Sequence, residues 1–286
     1  MQLSEQTFTN RQHMLTQDFE FFHYHNAKPV EVDFHNHNFY ELYFFISGSV
    51  TYAVEGNTYK LIPGDILIIN DKELHKAFIR DDTSYERIVI WLNPNYLKSY
   101  CTEKTDLLSC FDSSRPGRNN LLRMKPEQFQ KVYEIVQGLG TACSGDGYGN
   151  DLLKGLYLQQ ILIYINKAYL ARADQELEPD SAPAGLISRI IQYINANLEG
   201  DISLDTLSSM FYISKYYLSH QFKSTTGLTL HKYIQQKRLI AAKELLKESR
   251  PISEVCSKCG FGDYSHFIRT FKNEYGVSPK KYCKTL

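Results

Sequence analysis

The sequence predicts an α+β chain of two domains: a small N-terminal β-barrel followed by helices, and a C-terminal all-α module with two helix-turn-helix units. Three observations carry this. Between Phe19 and Leu92, short apolar stretches alternate in period two and are punctuated by Gly and Pro. From Asn95 onward the apolar period shifts toward that of a helix. Near the C-terminus a pattern occurs twice: Phe222-Lys223, Gly227, Lys232 and Tyr233 return as Phe271-Lys272, Gly276, Lys281 and Tyr282, each pair 49 residues apart.

The 286 residues suit two cores, and a hydrophobic fraction of 43% suits globular folding. The opening residues MQLSEQTFTN lack the apolar region of a signal peptide, and no apolar run reaches the ~18 residues of a membrane helix. A cytoplasmic protein with no membrane partner is expected. The net charge of zero hides an asymmetry. From Leu186 onward there are 15 Lys/Arg against 8 Asp/Glu, a formal +7; the remainder carries 17 against 24, a formal −7. A basic module joined to an acidic one points to a nucleic-acid reader coupled to something else. The six cysteines show no disulfide-framework spacing. Cys256-x-x-Cys259 has no second Cys/His pair at zinc-finger spacing, so Cys256 is read as a small buried residue and Cys259 as a neighbour of a turn.

In order along the chain, Tyr40–Ile46, Val50–Val54, Leu67–Ile69 and Ile88–Leu92 read as strands, separated by Ser47-Gly48, Glu55-Gly56-Asn57 and Pro63-Gly64-Asp65. Residues 1–93 are assigned to the barrel. Residues 94–171 are a helical segment whose clearest stretch is Leu152 to Leu170. That helix either caps the barrel core or pairs with its copy in a dimer. The polar, proline-containing stretch 172–185 is the linker. In residues 186–286, Ile187, Ile190, Ile191 and Ile194 mark one helix face, and Ser203 and Ser214 are N-caps of the next two helices. Gly227 ends the second of these, and a long helix runs from Leu230 to Lys247. A second unit follows: a short helix from Ile252, a turn at Gly260-Phe261-Gly262-Asp263, a helix from Tyr264 to Tyr275, and a Ser278-Pro279 start.

The run Pro251-Ile252-x-Glu254-Val255-x4-Gly260-Phe261-x-Asp263-x-Ser265-x-Phe267-x-Arg269-x-Phe271-Lys272-x3-Gly276-x-Ser278-Pro279-x2-Tyr282 resembles the signature of AraC/XylS-type transcription regulators. Cys256 stands where alanine is usual and Cys283 where arginine is usual. The resemblance implies a seven-helix module that puts two recognition helices into successive major-groove segments of double-stranded DNA. The exposed face of the first offers Lys215, Tyr216, Ser219, His220 and Lys223; that of the second offers Tyr264, Ser265, His266, Arg269 and Lys272. Matched to the family, Tyr216, Ser219, His220, Ser265 and Arg269 contact bases. Lys223 and Lys272 are placed for phosphate.

In the N-terminal part, His35-x-His37-x3-Glu41-x6-Gly48 and a later His75 form a pointed set. His35, His37, Glu41, Tyr43 and Phe45 share strand parity, so they point to one face if the strand is continuous. The spacing resembles the first motif of the cupins. A second motif is weaker: Gly64 and His75 are in place, but Asn70, Lys72 and Ile79 depart from it. Two readings stand. His35, His37, Glu41 and His75 hold a divalent transition metal, or they line a metal-free polar pocket. In the pocket, Tyr43, Phe45 or Trp91 stacks on a ligand ring or belongs to the core.

The expectation is a homodimeric transcription activator with a cupin-like sensor for a small-molecule effector, a sugar or derivative, and with RNA polymerase as a partner. No catalytic residue and no certain cofactor is assigned. The rivals are a metal-dependent cupin enzyme with an accessory DNA-binding domain, and a regulator switched by redox or metal chemistry.

Overall fold

The computed structural model describes residues 6, 8, 11–27, 32–80, 84–112, 119–173 and 185–284. The chain forms two compact units, one of Met1–Val54 with Thr58–Asp180 and one of Glu55–Asn57 with Ser181–Leu286. Residues 174–184, most of the expected linker, lie outside the described residues.

The first unit is built on two antiparallel sheets. The strands are β1 (Phe19–Asn26), β2 (Tyr40–Ser47), β3 (Val50–Val54), β4 (Asn57–Lys60), β5 (Asp65–Ile69), β6 (His75–Ile79), β7 (Tyr85–Leu92) and β8 (Leu121–Arg123). One sheet has the order β1-β7-β2-β5-β8, the other β4-β3-β6. The larger sheet is buried on both faces, which is why its strands are apolar nearly throughout. Leu42, Phe44, Ile66, Ile68, Ile88, Ile90 and Leu92 pack on one face against helices. Tyr43, Phe45, Leu67, Ile69, Val89 and Trp91 alternate with them and pack on the other face, against Val50, Tyr52 and Val54 of the smaller sheet.

The helices covering the first face are α2 (Pro126–Ser144) and α3 (Asn150–Ala173), preceded by the short α1 (Pro94–Lys98). Val132, Val136 and Leu139 of α2 and Leu158, Ile161, Leu162 and Ile165 of α3 join that core. Asn166 is buried among them because its amide is fully used: it donates to the carbonyls of Leu107 and Leu162 and accepts from the Cys110 amide. The segment 94–171 is therefore continuous with the core of the sheet and also supplies strand β8. Its α3 turns Leu152 and Leu156 outward, at 69% and 59% exposure.

The second unit holds α4 (Leu186–Ala196), α5 (Leu204–Met210), α6 (Lys215–Thr226), α7 (Leu230–Lys247), α8 (Ile252–Lys258), α9 (Tyr264–Tyr275) and α10 (Pro279–Cys283). The 49-residue repeat recurs in its capping. Ser214 and Asp263 accept from the third helical amide of α6 and α9, and Thr229 and Ser278 do the same for α7 and α10. Gly227 and Gly276 end α6 and α9 at φ +74° and +73°, a left-handed conformation that glycine adopts without a Cβ penalty. Gly260, at φ +75°, turns the second unit. A Cβ there would lie 2.2 Å from the Leu198 carbonyl oxygen, to which Arg238 also donates at 3.0 Å, so no larger residue fits.

Candidate nucleic-acid interface and effector cavity

Helices α6 and α9 present matching faces. Leu218 and Phe222 of α6 and Phe267 and Phe271 of α9 are fully buried, which fixes the opposite sides toward solvent. Lys215, Tyr216, Ser219, His220 and Lys223 are all exposed. So are Tyr264, Ser265, Arg269 and Lys272, whereas His266 is half-buried beside Phe261. Arg269 Nη2 lies 3.5 Å from His266 Nδ1, and the Lys215 ammonium pairs with Asp205. A cavity of about 490 Å³ separates the two helix-turn-helix units, and Ser219 of α6 and His266 of α9 both line it, with His231 and Arg238 of α7.

Cys256 and Cys259 are buried in the core of the second unit. The Cys256 thiol donates to the Phe261 carbonyl, and burial pushes the Cys259 thiol up to about 12. Such thiols are protonated and shielded from solvent.

In the first unit a cavity of about 90 Å³ opens between the sheets. One water needs roughly 10–15 Å³ of such space, so it has room for about six to nine waters, or one small molecule. Of the residues expected to bind effector, His35, Glu41, Tyr43 and Trp91 line it. Phe45 does not; it is fully buried in the core between the sheets. His37 and His75 sit behind the wall, with ring centroids 6.0 and 4.3 Å from that of His35.

Glu41 and Trp91 are cross-strand partners on β2 and β7, and Trp91 Nε1 donates to Glu41 Oε2 at 3.0 Å. Tyr52 from β3 and Tyr85 from β7 complete a phenolic wall with Tyr43, and the Tyr43 and Tyr85 hydroxyls hydrogen-bond to each other. Burial holds all three phenols above their usual range, so they stay protonated. Arg87 is 4% exposed, donates to Asn26 Oδ1, and lies over the rings of Phe8, Tyr24 and Tyr85. Among the described residues it has no carboxylate partner. Sequence reading missed Tyr52, Tyr85 and Arg87. The available signal was parity: Arg87 shares a strand face with Val89 and Trp91, and a cation on an inward face needs a reason.

The histidines reach each other differently from the expected continuous strand. Strand β2 starts only at Tyr40. His35 lies in a separate bridge to His75, and Asn36, from the Asn-containing stretch between them, donates to the Asp71 carbonyl. One ring nitrogen from each of His35, His37 and His75 lies within 4.8 Å of the others. Glu41 is adjacent, with Oε2 3.4 Å from His37 Nε2. Burial, then the neighbouring imidazoles, lowers the pKa of His35 and lowers that of His75 well below the usual value, which favours neutral rings.

The wall nearest Trp91 is held by an ion pair. Arg11 lies over the Trp91 ring, 5.1 Å from its centroid, and pairs with Glu20, which also accepts from the amides of Leu15 and Thr16. Burial alone would raise the Glu20 pKa, but the bonds from Arg11, Thr16 and Leu15 together lower it. A depressed folded pKa contributes stability that is fully present above the unfolded value and is lost as pH falls through the folded one. Trp91 is the single tryptophan of the chain. On acidification below the ordinary Glu range, its fluorescence is expected to change as Arg11 leaves the ring. In Glu20→Gln that step should be absent, with the shifted signal already present at neutral pH.

Residues 19–162 match a family model described as the AraC-like ligand binding domain, and residues 207–285 match one described as a helix-turn-helix domain. The first match alone spans half of the sequence. The chain belongs to the AraC family. It is a DNA-binding transcription regulator with a ligand-binding domain. This AraC-family regulator is 22% identical over 247 residues to the HTH-type transcriptional activator RhaS of Salmonella arizonae, covering 86% of this chain and 85% of that one. Among solved structures it is similar to the C-terminal domain of AraT, a response regulator from Geobacillus stearothermophilus, with 28% identity and a TM-score of 0.35 over 39% of this chain and 89% of that one. It is also similar to unsaturated fatty acid-bound ToxT from Vibrio cholerae, with 14% identity and a TM-score of 0.39 over 95% and 96% of the two chains. No helix among the described residues of the regulator is long and apolar enough to cross a membrane.

Proposed function

We propose that this regulator is a cytoplasmic activator whose effector is a sugar or sugar derivative held in the inter-sheet cavity. The observation that carries the effector reading is the convergence of Glu41, Arg87 and three protonated phenols on a space of about 90 Å³ walled by Trp91. A carboxylate accepts from hydroxyls, a guanidinium and phenols donate to ring and hydroxyl oxygens, and an indole covers the apolar face of a sugar ring. The relationship to a transcriptional activator favours activation over repression, with RNA polymerase as the partner. The outward apolar residues of α3, Leu152 and Leu156, favour a homodimer through that helix. The constellation holds no activated nucleophile, so we read the domain as a receptor and not as an enzyme.

The test is a panel of mono- and disaccharides, sugar acids and sugar phosphates, scored by Trp91 fluorescence and then by DNA affinity. A sugar that saturates the fluorescence change and alters DNA affinity supports the reading. A panel in which no sugar does so, while fatty acids or other apolar compounds do, overturns it.

A further inference from the structure

We propose that Tyr212, in the turn of the first helix-turn-helix, is a further DNA contact, its phenol donating to a backbone phosphate at the rim of the major groove. Tyr212 has φ +55°, a left-handed conformation that crowds the Cβ of an L-residue and is rare for bulky side chains. It is also 95% exposed, so no burial offsets the strain. Backbone strain of this kind clusters at ligand-binding and active sites.

The second helix-turn-helix shows what the same backbone takes when architecture alone decides. In the first, the amides of Tyr212 and Ile213 bond to the carbonyls of Ser209 and Ser208. In the second, those of Gly260 and Phe261 bond to Ser257 and Cys256, each atom pair 48 residues on. The N-caps Ser214 and Asp263 are 49 apart because Gly262 is an extra residue in the second turn. Tyr212 is therefore the counterpart of Gly260, which has φ +75°. Glycine forms this turn without strain in the same chain, so the fold of the turn does not call for tyrosine.

The place of the turn identifies what the phenol meets. In a helix-turn-helix the first helix crosses the DNA backbone and the second enters the major groove, so the turn between them stands at the rim of the groove. Tyr212 lies two residues before Ser214, the N-cap of α6, and the exposed face of α6 carries Lys215 and Lys223. A phosphate at that rim already faces a cationic surface, and a tyrosine hydroxyl donates to its oxygens without adding a charge. Gly260 has no side chain to do the same, so the first helix-turn-helix gains a contact that the second lacks. The inference rests on α6 entering the major groove.

The experiment measures affinity of the full chain for duplexes that the parent protein selects from a random library, and for scrambled duplexes, across a salt series. The variants are Tyr212→Phe, Tyr212→Gly, Lys223→Ala and, as a control, Tyr148→Phe, which alters a fully exposed tyrosine of the ligand-binding domain. We expect Tyr212→Phe to bind selected and scrambled duplexes alike about tenfold more weakly, the loss of one hydrogen bond to a charged acceptor. Its slope of log affinity against log salt should match the parent's, because a neutral donor releases no counterion. Tyr212→Gly should lose at least as much affinity while its thermal unfolding midpoint holds or rises. Tyr148→Phe should bind as the parent does. Parent-like affinity of Tyr212→Phe would overturn the contact, and so would a loss confined to selected duplexes, which would make Tyr212 a base reader. Intact DNA affinity with lost activation of a reporter would make it a protein contact instead. Lys223→Ala keeps the two levels apart. If it loses affinity and Tyr212→Phe does not, α6 stays in the groove and only the Tyr212 contact falls; if neither does, the placement of α6 falls as well.

Discussion

Arg269→Ala is expected to erase sequence preference at one or two base pairs, while Lys272→Ala weakens binding equally on every sequence. The difference follows from position and chemistry. Arg269 is exposed on α9, and among the described residues no carboxylate engages it. A guanidinium in the major groove reads guanine with two parallel bonds, worth about 1–3 kcal/mol against the wrong base. That corresponds to roughly 5–150-fold in relative affinity. Lys272 lies in the last turn of α9, where a flexible ammonium meets phosphate and carries no sequence information. Its loss should lower the slope of log affinity against log salt by about 0.9. Duplexes selected by the parent protein from a random library, compared with scrambled duplexes across a salt series, separate the two effects. Identical losses for both variants on all duplexes would remove α9 from the major groove. Lys215 should behave less strongly than Lys272, since it must first leave Asp205.

Legibility differed sharply between the two units, for a physical reason. In the second unit the boundaries are written in local chemistry. Ser214, Asp263, Thr229 and Ser278 cap within three residues of the amides they satisfy, and Gly227 and Gly276 stop helices by their own φ. Such signals survive in a linear reading because cause and effect are neighbours in the chain. In the first unit the informative partners are distant. Strand β8 has three residues and exists because it pairs with β5, Asp65 opposite Arg123, across a long separation. The inward turn of Leu158 and Ile161, with Leu152 and Leu156 facing outward, depends on which side of α3 meets the sheet. The cavity is harder still. Tyr52, Tyr85 and Arg87 come from separate elements, and only register places them beside Glu41, Tyr43 and Trp91. The histidine trio was visible as a spacing, but its route was not, since a bridge between His35 and His75 replaces the continuous strand.

Arg87→Met is expected to leave stability within about 1 kcal/mol of the parent and to cost most of the effector affinity. The first half is a balance of opposing terms. Burying a guanidinium costs several kcal/mol even after relaxation. Against this stand a charged hydrogen bond to Asn26, worth about 1.5–3 kcal/mol, and the faces of Phe8, Tyr24 and Tyr85, at about 0.5–2 kcal/mol each. The sums are similar, so an unbranched apolar side chain that fills the same volume gains about what it loses. Met also keeps a favourable sulfur contact with the rings. The second half has no such compensation. A bound sugar or sugar acid loses one charge-assisted bond, and about 1.5–3 kcal/mol is roughly 10–150-fold in affinity. Chemical denaturation and Trp91 titration with the sugar selected from the panel measure the two halves on one protein. A variant that unfolds easily yet binds as before would make Arg87 part of the core, and the cavity would then have to recognise its ligand through Glu41 and the phenols alone. Tighter binding of sugar acids than of neutral sugars by the parent, levelled in Arg87→Met, would assign the guanidinium to the anionic substituent of the effector.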